Sequence, residues 1–191
     1  MLGSVRHSAY GGGMTGFLRF IGILNAAIWL GGSVFFTLVA GQVPFSPEMK
    51  EVLGPVHSPY LVGAVAQIGV ARFFSFQLVC AIIAIAHLGA EWLYQERRNR
   101  KFLLWMLATM LALTLVGDYW LRPKMHDLHK IKYAQNYPQP QRDAAARSFG
   151  MWHGISMTVN LFMLGSLVGY LLQMSRPPEA ARFVTPGQFR G

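Results

Sequence analysis

The sequence predicts an all-α integral membrane protein: a four-helix bundle with a hairpin protruding between the third and fourth helices. Three observations predict it. Only 13% of the 191 residues are charged and 53% are hydrophobic, whereas a soluble domain carries about 25% charged residues. The charges are clustered, which leaves long uncharged runs. Four of those runs reach the roughly 20 residues needed to cross a lipid core. Residues 17–174 then form one membrane domain, with tails at 1–16 and 175–191.

The first run, FIGILNAAIWLGGSVFFTLVA, covers residues 20–40. It exceeds the roughly 7–15 apolar residues of a signal-peptide core and no small-x-small site follows it, so it is expected to remain as a span. The second, FFSFQLVCAIIAIAHLGAEWL, covers 73–93, and the helical pattern continues backwards over 61–71 with Arg72 at the join. The third, FLLWMLATMLALTLVGDYWL, covers 102–121. Pro123 follows it and should bend or end the helix. The fourth covers 149–174, after a YPQPQ turn and the alanine-rich RDAAARSFG. Pro138 and Pro140 mark the hairpin tip, which sets His153 opposite Arg122 if the two helices are straight. Cys80, the only cysteine, lies in an apolar run and reads as a small hydrophobe.

The net charge of +9 and pI near 10.1 would suggest nucleic acid in a soluble protein. Here the basic residues flank apolar runs, so membrane lipids with anionic headgroups are the expected partner. No nucleic acid module is present. Four spans place both termini on one side, together with the ERRNRK loop at 96–101. That compact basic loop places this side in the cytoplasm.

Small residues form candidate packing faces. Ala27, Gly31 and Gly32 lie in the first span, and Gly165 and Gly169 in the fourth, with Gly150 and Gly154 repeating the spacing. Bundle packing or homo-oligomerisation would use them. Asn25 and Asn160 are polar groups at membrane depth and should bond to neighbouring helices. His87 precedes Glu91 by one turn; the two can pair, or the imidazole can ligate haem.

At the other end, Asp118 and Arg122 have pairing spacing. Arg72 and His153 should emerge at the same level, giving a polar cluster of Arg72, Asp118, Arg122 and His153. His126 and His129 share a helix face, and with His153 and His57 they could hold copper or zinc. The neighbouring lysines, Lys124, Lys130 and Lys132, would repel a cation. No phosphate loop, nucleophile elbow or close carboxylate pair is present, so no enzymatic chemistry and no resident cofactor are expected.

The stretches FLRFIGILNAAIWLGGSVFF, GAVAQIGVARFFSFQLV, GDYWLRPKMHDLH and FGMWHGISMTVNL resemble the transmembrane protein 205-like family. These small four-span bacterial membrane proteins are distantly related to the copper resistance protein D family. The resemblance covers most of residues 17–173 and implies a four-helix bundle in a bacterial inner membrane. The copper resistance relatives imply copper import. Their first-helix histidine is missing here, where Asn25 is the nearest polar residue; His153 matches their last-helix histidine. Three readings follow: a structural, accessory or transport-related component, alone or within a larger complex; a metal-handling protein; or a haem-bearing accessory subunit using His87 or His153.

Overall fold

The computed structural model describes residues 7–94 and 100–176, with side chains described over 16–93 and 101–176. Every element among them is helical. Helix α1 (His7–Phe35) runs into a π-turn (Phe36–Ala40) and a 3-10 turn (Val43–Phe45). Short α2 (Pro47–Leu53) leads to α3 (Ser58–Tyr94). Helix α4 (Arg100–Val116), a second π-turn (Gly117–Leu121) and α5 (Arg122–Tyr133) are continuous, and α6 (Gln139–Ser175) closes the bundle. Four of these helical stretches are long and apolar enough to cross a membrane.

The helices form a ring. α1 packs on α3 and α6, and α4 packs on the same two from the other side. The core holds Trp29 of α1, Cys80, Ala81 and Ala84 of α3, Leu103, Leu107 and Met110 of α4, and Met163, Leu167 and Tyr170 of α6. The outward faces are apolar as well: Ile28, Ile82, Trp105, Leu161 and Leu172 are all exposed. Helices apolar both inside and outside have lipid as their outer solvent. The chain is therefore a multi-pass membrane protein.

Helices α3 and α6 have 37 residues each. That is about 55 Å at 1.5 Å per residue, against about 30 Å of hydrocarbon. Both helices run on past α1 at one end of the bundle. There the start of α3, all of α5 and the start of α6 pack together, beyond the last turn of α1. Helix α2 covers the side of α3. The Ser46 hydroxyl caps α2 by accepting the Met49 N–H at 3.2 Å, with Pro47 suited to the first turn. The helix's own backbone and the Ser46 hydroxyl hold the Glu48 carboxyl below the usual range. Gly54, at φ 74°, supplies the left-handed residue that turns the chain into α3.

The two π-turns sit on either side of α3. Phe36, in the first, stacks on Phe73 with ring centroids 4.1 Å apart. Gly117, opening the second, receives the Phe74 ring. Pro123 does not end the third helix, one of the two outcomes expected of it: helix continues to Tyr133. The wide turn just before it relieves the clash and the missing N–H that proline brings to a regular helix. Helix begins at His7, within the first tail. Residues 96–99 of the ERRNRK loop and the tail beyond Arg176 lie outside the described residues.

Candidate functional site

Four glycines each seat a ring from a neighbouring helix. A Cβ on Gly22 would come 2.5 Å from the His87 ring, one on Gly32 2.5 Å from Phe76, and one on Gly117 2.5 Å from Phe74. A Cβ on Gly63 would overlap the His129 imidazole. Every one of these contacts involves α3, which inserts three rings and receives the fourth. The packing role within the bundle expected of Ala27, Gly31, Gly165 and Gly169 is corrected: Gly32 is in contact, but Ala27 and Gly31 face outward. Gly31, Gly165, Gly169, Gly150 and Gly154 would present a Cβ to open space. The buried stripe of α1 runs through Asn25, Ala26, Trp29 and Ser33, and Gly31 falls on the opposite side of the helix.

Polar groups at membrane depth cross-link the helices. Asn25 Nδ2 donates to the Cys80 carbonyl at 3.0 Å, joining α1 to α3. Asn160 Nδ2 donates to Thr37 Oγ1 at 2.9 Å, and that hydroxyl donates to the Ser33 carbonyl at 2.8 Å. The Thr114 hydroxyl lies 3.1 Å from Gln77 Oε1, joining α3 to α4. Sequence reasoning missed this pair, because two amphipathic polar residues on separate helices carry no spacing signal. Interhelical bonds of this kind are worth about 0.6 kcal/mol on average and up to about 1.7. Asn25→Ala should therefore lower stability by about 1 kcal/mol, and Asn160→Ala, partly exposed, by about half that. Thermal midpoints in mild detergent measure both, and equal or negligible losses would remove Asn25 from this role.

His87 and Glu91 are both buried, at 5% and 3% exposure. The His87 Nε2–H donates to the Leu18 carbonyl at 2.6 Å and lies 3.9 Å from Glu91 Oε1. With its ring against Gly22, the imidazole is committed to the α1–α3 contact. Axial ligation of haem would require α1 to move away. Arg19 at the same end donates to the Ser175 carbonyl at 2.8 Å, which satisfies the C-terminus of α6.

The opposite end carries the other candidates. Arg122 Nε donates to Asp118 Oδ1 at 2.7 Å in a half-exposed pair. Arg72 is exposed and makes no ion pair with Asp118 among the described residues. His153 is also exposed and stacks on Phe149, ring centroids 6.2 Å apart. The expected cluster of four thus reduces to Asp118 and Arg122. The reason is phase: Trp152, next to His153, is the residue that meets α5. Its ring packs edge-on against Trp120 at 5.2 Å.

The four candidate metal ligands separate in the same way. His126 Nδ1 bonds Gln67 Oε1 at 2.5 Å. His129 is 4% exposed, wedged between Gly63, Tyr60, Tyr133 and Phe149. His153 lies on Phe149, and His57 is exposed in the turn before α3. Among the described residues, no group of three His, Cys, Asp or Glu side chains could hold a metal ion. One feature of this end was not foreseen: the Lys124 ammonium lies 4.9 Å from the Trp120 ring centroid and 4.2 Å from that of Trp152.

A family model described as a domain of unknown function, DUF4149, matches residues 24–134, more than half of the chain. The chain belongs to the DUF4149 family. No match is found among curated proteins or among solved structures. The DUF4149 segment begins within α1 and ends just after α5. It therefore holds the ring-on-glycine contacts at Gly32, Gly63 and Gly117, the Asn25 and Gln77 cross-links, and His126 and His129. Helix α6, with His153 and Trp152, lies outside the matched segment.

Proposed function

We propose that this DUF4149 protein is a structural or accessory component of a bacterial inner membrane, without enzymatic chemistry of its own and suited to a place in a larger assembly. One observation carries this reading. Polar groups inside the bundle join helices: Asn25 to α3, Asn160 to the first π-turn, Gln77 to Thr114, and His87 Nε2 to the Leu18 carbonyl. Side chains held this way make a rigid scaffold rather than a site open to a substrate. The hairpin of α5 and α6, with the start of α3, would stand outside the lipid as a three-helix lobe. Both termini would be cytoplasmic, by the basic loop between α3 and α4. The resemblance to transmembrane protein 205-like proteins supports the same architecture.

Transport is the second reading, favoured by the burial of His87 and Glu91 at one end of the spans, because ionisable groups inside a membrane are commonly functional. Purification in mild detergent separates the possibilities. A colourless, metal-free protein that co-purifies with partner subunits is the expected result. A Soret band would replace it with the haem reading. Stoichiometric copper or zinc, lost in His126→Ala and His153→Ala, would replace it with metal handling.

A further inference from the structure

We propose that Trp120, Lys124 and Trp152 form a seat for the phosphate of an anionic phospholipid, in the leaflet at the α5–α6 end of the bundle. This goes beyond the scaffold reading and rests only on the four helices spanning a membrane. The seat is tertiary. Trp120 lies in the second π-turn, Lys124 one turn later in α5, and Trp152 on α6. The two indoles meet edge-to-face at 5.2 Å, and the ammonium lies over both rings.

Its position selects lipid. One turn before Trp120 the outward face is apolar, with Val116 53% exposed. Within two turns beyond Lys124 the helix carries His126, Asp127 and Lys130, all exposed. Trp120 is itself 51% exposed and Tyr119 71%. Amphipathic rings at such a boundary sit at headgroup level. The charge is also available. Arg122 is engaged by Asp118, whereas Lys124 has no carboxylate partner among the described residues. Stacking on two rings orients an ammonium and strips part of its hydration without neutralising it, so its N–H groups remain free for an anionic oxygen. Neither indole N–H has a hydrogen-bond acceptor among the described residues, so both can add donors to phosphate or glycerol ester oxygens.

The experiment is native mass spectrometry of the full chain in mild detergent, with equal phosphatidylglycerol and phosphatidylcholine. The native chain should retain phosphatidylglycerol preferentially. Lys124→Gln should cut that retention about fivefold, with phosphatidylcholine unchanged. Lys124→Arg should keep most of it, and Lys130→Gln, outside the ring pair, should change nothing. Trp152→Phe, which keeps the packing, should give a smaller loss and guards against a Lys124 variant that does not fold. Equal retention of the two lipids overturns the seat. So does an equal effect of Lys130→Gln, which would mean diffuse charge, and so does equally strong binding of inorganic phosphate, which would mean a soluble anion site.

Discussion

Replacing Gly63 by alanine should lower stability by about 3 kcal/mol, at the upper end of what overpacking costs. The added methyl would overlap the His129 imidazole. The ring has no free direction in which to retreat. Tyr60 stacks on one side at 5.1 Å, and Tyr133 meets it edge-on at 5.0 Å. For a chain of this size the loss corresponds to a thermal midpoint lower by roughly 6–12 °C. His129→Ala should relieve the clash, so the double variant should be less damaged than the sum of the two single ones. Gly165→Ala is the control: its Cβ meets nothing within 4 Å, and alanine is the better helix former. If Gly63→Ala melts like Gly165→Ala, α3 and α5 do not pack as described.

Trp29→Ala should be the most damaging single truncation inside the spans, at about 3–5 kcal/mol. Trp29 is fully buried among α3, α4 and α6 side chains of the core. Lipid tails are as apolar as this core, so the loss is one of packing rather than of hydrophobic transfer. Trp105→Ala provides the comparison. That indole is 73% exposed and its removal should stay within about 0.5 kcal/mol. Trp29→Phe should cost much less than Trp29→Ala, because the Trp29 Nε1 has no hydrogen-bond partner among the described residues to lose. Equal midpoints for Trp29→Ala and Trp105→Ala would show that the first span does not turn this face inward.

Much of the architecture is readable from local pattern. Span number, the burial of Asn25 and the Asp118–Arg122 pair follow from run length, polarity and one-turn spacing, which are properties of a single helix. The glycine faces misled for a related reason. The spacing of Ala27, Gly31, Gly165 and Gly169 says that a close approach is permitted, and it is silent on which side of the helix has a neighbour. The rings that need a socket are His87, Phe76, Phe74 and His129, and each lies on another helix, 43 to 66 residues away in the sequence. Rotation separates the candidate histidines. His126, His129 and His153 occupy one end of the bundle, yet His126 bonds Gln67, His129 fills the socket at Gly63 and His153 stacks on Phe149 of its own helix.

The sequence alone determined the four helices, among the described residues, that are long and apolar enough to cross a membrane, because lipid forces every backbone polar group to be satisfied within a helix and so writes each span as one uninterrupted apolar run. Tertiary structure decided which faces meet. Two π-turns shift the phase of α1 and of the α4–α5 helix beside Phe73 and Phe74. Lys124 comes to lie over two tryptophan rings, and His153 stacks on Phe149 instead of joining Asp118. No spacing rule in the sequence encodes that rotation, because it comes from rings on one helix fitting the glycines of the next.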